Sequence, residues 1–296
     1  MEVNWAQILF NSAITGSIYL LGAVGLSVTY RLSGFPNFAH AEFITLGAFI
    51  GYFVAEKLGV GLPGACLAAF MVSGILGFLC YRGIFQPLSK RGASIIHLMV
   101  ASIALGFVLR HVINAVWTDS PYYFTTVIFP SYNIGAVTTT SLYLWLVFSA
   151  LALSVGMHLV LTRTEVGKAI RATSSNPDLA LASGINTERV IGITWFVGAG
   201  LAAVAGVVRG VGTLVNPMIG WEIILPIFAV VILGGIGNYY GAIAAAFIIG
   251  LAENVGVVAL MAVGLSTEYR IAIAFLILII TLIVRPQGLA MLFRRA

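Results

Sequence analysis

The sequence predicts an all-α, polytopic integral membrane protein, and three observations carry that prediction. Apolar residues make up 60% of the 296 and charged residues 8%, against about 45–50% and about 25% in soluble domains. Mean hydropathy is +1.05, more apolar surface than one water-soluble core can hide, so lipid must be the solvent. The apolar residues also run without alternation, as from Ile271 to Val284. Barrel strands alternate apolar and polar, so helices are the remaining way to satisfy backbone groups in a bilayer.

A span needs about 20 mostly apolar residues. The first is expected over 7–30. Its leading Met1-Glu2-Val3-Asn4-Trp5 lacks the basic stretch of a cleaved signal peptide, so the segment is read as retained. Further spans are expected at 37–57, 62–81, 94–116, 141–161, 190–212, 221–236, 241–262 and 269–284. This gives eight or nine helices, depending on how 221–262 divides, in a single transmembrane domain over 1–296.

Basic residues orient the spans. Arg31, Arg82, Lys90, Arg91, Arg163, Lys168, Arg171, Arg189, Arg285, Arg294 and Arg295 fall on one side, and Lys57, Arg209 and Arg270 at or near the other. By the positive-inside rule the first side is cytoplasmic. The N-terminus is then outside and the C-terminus inside, as nine crossings require. The net charge of +5 fits basic loops against anionic lipid and gives no reason to expect nucleic acid. Arg110 and His111, late in the fourth span, are expected to snorkel toward the outer surface.

Three stretches stand out. In Gly34-Phe35-Pro36-Asn37-Phe38-Ala39-His40-Ala41-Glu42, Pro36 removes a backbone donor, which favours a break or a late helix start. Asn37, His40 and Glu42 follow, at or just inside the expected membrane edge. A carboxylate within a bilayer costs roughly 2.5–3.5 kcal/mol on insertion scales, so it faces a cavity or a partner. A helix cap with interfacial polar residues accounts for the stretch; so does part of a translocation gate, with Glu42 acting through hydrogen bonds.

The second stretch lies on the basic side, within 164–186. Asn176 is a good N-cap, Pro177 fits the first helical position and Asp178 suits the positive end of the dipole. Gly184 is placed to close the helix with a left-handed cap. About two turns result, too short to be stable alone in water. An ordinary surface helix is one reading. A lever seated in a partner, using Leu179 and Leu181 as apolar contacts, is the other.

In the third stretch, Gly234, Gly235, Gly237 and Gly241 interrupt an apolar segment. Interrupted helices in transporters face solute or permit rearrangement, although a tight turn between two spans is sufficient. Glu253 and Asn254 form a second intramembrane polar pair, read as helix-to-helix hydrogen bonding or as part of the pathway. The pairs Gly47-x-x-x-Gly51 and Gly206-x-x-x-Gly210 permit close helix approach. Cys66 and Cys80 read as small buried hydrophobes. His97 and His158 show no metal-ligand spacing, no catalytic triad can be assembled, and no G-x-x-x-x-G-K-[ST] loop occurs. Any ATP chemistry belongs to another polypeptide.

Together these stretches resemble the permease subunits of branched-chain amino acid ABC importers, the LivH-like family. The likeness lies in Asn37-Phe38-Ala39-His40-Ala41-Glu42 with Gly47-Ala48, and in Gly184-Ile185-Asn186 with Arg189 after Arg171-Ala172. It continues in Val231-Ile232-Leu233-Gly234-Gly235-Ile236-Gly237 and in Arg285-Pro286-Gln287-Gly288-Leu289, so it covers nearly the whole chain. Ala41, where the family usually has Gly, and the bulky Asn238-Tyr239-Tyr240 are departures. The resemblance implies a non-enzymatic transport subunit in the inner membrane that binds no cofactor itself. It implies a second homologous permease, two cytoplasmic ATPases that use ATP and Mg, and an external solute-binding protein. The coupling segment would comprise Arg171, Asn176, Pro177, Asp178, Leu179, Gly184, Ile185 and Asn186. Urea or short amides stand as alternative substrates. A proton-coupled carrier using Glu42 and Glu253 and a passive channel are the alternatives of a different class.

Overall fold

The computed structural model describes residues 4–125, 129–284 and 288–289; the matched stretch at 285–287 lies outside them. Helix α1 (Trp5–Ser33) is started by Asn4, whose side chain accepts from Gln7 N, and ended by a left-handed Gly34. Next come α2 (His40–Tyr52), run on by a π-helical turn over Phe53–Lys57, and α3 (Gly61–Cys80), run on by a π turn over Tyr81–Phe85 and the short α4 (Gln86–Lys90). After α5 (Ile95–Trp117), strands β1 (Ser131–Ile134) and β2 (Val137–Thr140) form an antiparallel hairpin. The chain continues through α6 (Ser141–Arg163), α7 (Glu165–Ser175), α8 (Pro177–Ala182), α9 (Thr187–Gly212), α10 (Ile219–Gly234), α11 (Tyr239–Ala262) and α12 (Arg270–Val284).

All nine expected spans are helical. Among the described residues, seven helices are long and apolar enough to cross a membrane unaided. The expected spans at 37–57 and 221–236 are shorter helices, α2 with its π turn and α10. Pro36 delays the start of α2. Pro226 inside α10 has no N–H for the carbonyl of Glu222 and weakens that helix locally.

Helices α1 and α9 form the buried axis of the bundle, packed with α2 and α10, while α3, α5, α6 and α12 carry much of the outer apolar surface. Small residues make the centre possible. A side chain at Gly206 would strike the backbone of Ile44, one at Gly47 that of Ala203, and one at Gly220 that of Ala41. Gly47 and Gly206, read from spacing as packing contacts, therefore seat α2 against α9, and Gly220 seats it against α10. Exposed Ile96, Trp145 and Ile283 face outward, as lipid-facing positions do.

The two ends of the bundle differ in kind. At the basic end Arg31 Nη1 donates to Gly237 O (3.1 Å) and Gln86 Nε2 to Glu188 Oε2 (2.5 Å), and Lys90 pairs with Glu188 at 2.6 Å. At the other end the hairpin is tied to α1 by Asn4 Nδ2 donating to Ala136 O at 2.7 Å. There Thr125 N donates to Glu56 Oε1 at 3.0 Å, and Tyr122 bridges to Val215. Aromatic rings close this end: Tyr122 lies 4.9 Å from Tyr52, and Trp117 lies 5.3 Å from Phe49. The hairpin and α7 are elements that the apolar-run reading did not anticipate.

Candidate translocation site

The segment 34–39 does not turn at the membrane edge; it enters the bundle. Phe35 stacks near Phe85 and Trp195, with centroids at 5.2 and 6.3 Å. Phe38 N donates to Ser102 Oγ at 3.1 Å, a site about 10 Å along α5 at 1.5 Å per residue. Asn37 Oδ1 accepts from Ala39 N at 3.1 Å, and His40 Nε2 donates to Gly22 O, near the middle of α1, at 3.0 Å. Asn37, His40 and Glu42 are all buried, at 2%, 1% and 1% exposure. All three, expected at or just inside the membrane edge, are enclosed within the bundle. The Pro36 break starts α2 deep inside, so its first polar side chains find protein partners rather than headgroups.

Glu42 meets Arg110. The guanidinium donates to Glu42 Oε1 through Nε at 3.0 Å and through Nη2, with Glu42 fully enclosed and Arg110 13% exposed. Arg110 also lies 4.9 Å over the ring of Trp221. Snorkelling is thus overturned for Arg110. Its long side chain turns inward because an internal carboxylate repays desolvation, which water at the surface would otherwise have avoided. His111, by contrast, is exposed and bonds to Phe107 O on its own helix, at 2.7 Å. The pair changes the expectation for Glu42 as well: a charge partner, more than neutral hydrogen bonding, defines its surroundings.

The glycine stretch sits elsewhere. Gly234 ends α10 with its Cα against the backbone of Gly241 and Ala242. Gly235 and Gly237 adopt φ of +89° and +76°, open to glycine without strain. Gly237 N donates to Ser27 Oγ (3.0 Å), and Asn238 Oδ1 caps α11 by accepting from Gly241 N (2.9 Å). The segment is a clamped turn at the basic end, remote from Glu42. It borders a cavity of about 450 Å³ between α1, α6, α7 and α11, which Arg31 and Arg171 also line.

Glu253 occupies a third place. It accepts from Tyr19 Oη at 2.6 Å and is 2% exposed, and its other oxygen has no hydrogen-bond partner among the described residues. Neighbouring Asn254 donates to Thr15 Oγ1 (3.1 Å) and Gly250 O (2.8 Å). The seven residues singled out for the pathway thus fall into three clusters rather than one. Tyr19, Ser102 and Trp195, together with the inward contact of Arg110, escaped sequence reading, because each contact spans a long sequence separation. Among the described residues no group of His, Cys, Asp and Glu is arranged to hold a metal.

The basic-side segment folds as two helices. Thr164 Oγ1 caps α7 by accepting from Gly167 N (3.0 Å). Lys168 pairs with Glu165 at 2.8 Å and holds that exposed carboxyl below its ordinary range. Asn176 Oδ1 accepts from Leu179 N at 2.9 Å, Pro177 opens α8 and Asp178 lies in its first turn. Gly184, at φ +85°, closes α8 with Gly184 N donating to Leu181 O and Ile185 N to Ala180 O, each at 3.0 Å. Leu179 and Leu181 are 64% and 60% exposed, while Ile185 turns onto the core. Asn186 caps α9 by accepting from Arg189 N (2.9 Å). Arg171, on α7, is exposed.

A family model described as "branched-chain amino acid transport system / permease component" matches residues 8–282. The chain is 31% identical to the "high-affinity branched-chain amino acid transport system permease protein LivH" of Escherichia coli K12, over 96% of this chain and 94% of that protein. It is 29% identical to the "probable branched-chain amino acid transport permease protein LivH" of Methanocaldococcus jannaschii, over 97% and 93%. It is 28% identical to the corresponding protein BraD of Pseudomonas aeruginosa, over 97% and 95%. No solved structure matches the chain. The long apolar helices and a match along almost the full length agree, and the chain belongs to the family of permease components of branched-chain amino acid transport systems.

Proposed function

We propose that this chain is one of two membrane-spanning permeases of an ATP-driven importer that carries branched-chain amino acids into the cytoplasm. The observation that carries the reading is the α7–α8 pair at the basic end. It is capped at both ends, yet it presents Leu179 and Leu181 outward from helices too short to be stable alone. A cleft in a cytoplasmic ATPase completes that packing, with Arg171, Asn176, Pro177, Asp178, Gly184, Ile185 and Asn186 shaping the lever. The basic end then faces the cytoplasm and the N-terminus and hairpin face outside, in the inner membrane. A second homologous permease lies alongside, two ATPases hydrolyse ATP with Mg below, and an external solute-binding protein delivers substrate to the hairpin end.

In this reading the deep start of α2, with Asn37, His40 and Glu42 locked to α1 and α5, is the fixed wall of the pathway. The Gly234–Gly237 turn, clamped to Arg31 beside α7, carries lever motion into α10 and α11, where Glu253 is anchored. Glu42 is held by Arg110, so a proton-shuttling carrier draws no support from it. The relatives' names supply the substrate. The test is uptake of radiolabelled leucine by cells lacking this chain, with and without its gene restored. Restored uptake that is abolished by Gly184→Val, with the variant still inserted and paired, supports the reading. Full uptake by that variant contradicts the lever.

A further inference from the structure

At the hairpin end a cavity of about 250 Å³ opens between α1, α6, α9 and α11. That is below the roughly 300–1,000 Å³ of sites for drug-sized ligands and is scaled to a small metabolite. One wall is polar, with Asn11, Thr15, Asn254 and Arg209; the other is aliphatic, with Ile14, Ile18, Leu146 and Val208. Arg209, 16% exposed, is the wall's only formal charge among the described residues. Its nearest recorded ion-pair contact is Glu222 Oε2, 3.9 Å from Nη2, beyond hydrogen-bonding distance. Its buried Nε has no hydrogen-bond partner among the described residues. An arginine this enclosed and this loosely held differs from Arg110, whose guanidinium is spent on Glu42.

We propose that this cavity is a subsite for the zwitterion of an aliphatic amino acid, built within this single chain, with Arg209 receiving the α-carboxylate. The inference rests on the amino acid reading above and adds where the substrate is held. The two Nη atoms of the guanidinium present a fork that a carboxylate fills with two parallel bonds, while Nε, enclosed by protein, takes no part in it. The same last turn of α9 ends at Gly212, beside the cavity, where the carbonyl end of the helix dipole suits the substrate ammonium. The aliphatic side chain then lies along Ile14, Ile18, Leu146 and Val208. Charge and apolar wall thus occur in the arrangement that a branched-chain amino acid itself has.

The test uses the complete complex of this chain with its permease partner and ATPases, purified without the external binding protein. L-leucine and L-leucinamide, which lacks the carboxylate, are titrated calorimetrically into wild type, Arg209→Gln and Ile14→Phe. Loss of a charged hydrogen-bonding partner predicts binding of leucinamide, and of leucine to Arg209→Gln, weaker by about tenfold or more. Ile14→Phe narrows the aliphatic wall and should weaken leucine while sparing alanine, so it carries the test if Arg209→Gln does not assemble. Equal binding of leucine and leucinamide, leucine binding to Arg209→Gln as to wild type, an Ile14→Phe variant that does not distinguish leucine from alanine, or no leucine binding to wild type overturns the subsite. Uptake by the same complex with its binding protein separates the two levels. Leucine transported without any Arg209 effect sinks the subsite alone, whereas no leucine transport sinks the substrate reading.

Discussion

Arg110 and Arg209 both lie within apolar helices of this bundle, and the protein treats them differently. Arg110 reaches across to α2, donates to Glu42 through two nitrogens and stacks on Trp221. Arg209 lines a cavity, its Nε has no hydrogen-bond partner among the described residues, and its nearest ion-pair contact is long. A charge inside a membrane protein must be compensated by the protein or reserved for a ligand. The comparison assigns Arg110 to holding the bundle together and Arg209 to binding.

The largest effect is expected at the close ion pair of Glu42 with Arg110. Glu42→Gln and Arg110→Met each strand a buried charge or its partner site, which costs about 3–5 kcal/mol. Thermal denaturation of the detergent-solubilised complex should show both singles strongly destabilised. The double variant Glu42→Gln with Arg110→Met should recover part of the loss. Equal loss in single and double variants would mean that the pair is not what holds α2.

Next comes Tyr19→Phe, which leaves the carboxylate of Glu253 buried without its hydroxyl and costs about 1–3 kcal/mol. The same measurement checks it, and a wild-type melting curve would dismiss Glu253 as an anchor. Arg209→Gln should be the mildest for stability, within about 1 kcal/mol, because the contact it removes is long and partly exposed. A loss as large as that of Arg110→Met would erase the distinction between the two arginines.

Sidedness can be sharpened too. In a cysteine-free background, an impermeant reagent applied to intact cells should label Asn133→Cys in the hairpin and spare Ser175→Cys. Both positions are exposed, whereas Thr139 in the same loop is 3% exposed and a poor reporter. The reverse pattern would invert the orientation.

Much of this fold is legible in the sequence because lipid imposes simple rules. Each expected apolar run became a helix, and the caps at Asn176 and Gly184 follow from side-chain and backbone chemistry acting over a few residues. Pro36 announced the break before α2. What it could not announce is depth, because that depends on Ser102 and Gly22 from other helices receiving Phe38 and His40. The ion pair of Glu42 with Arg110 was hidden for the same reason, and the rule that lone arginines snorkel pointed the wrong way. The hairpin left a faint local signal, the β-branched run at Thr138, Thr139 and Thr140. Within the site, residue types were recognisable, but their division into three clusters required the fold.

The most direct test of the account is uptake into proteoliposomes containing this chain with its permease partner and ATPases, supplied with the binding protein outside. ATP with Mg is enclosed in one sample and a non-hydrolysable analogue in another. Labelled leucine, isoleucine, valine and urea are offered in parallel. The account predicts accumulation of the branched-chain amino acids against a gradient, only with hydrolysable ATP on the lever side. Accumulation driven by a proton gradient without ATP, or accumulation of urea in place of the amino acids, would contradict it.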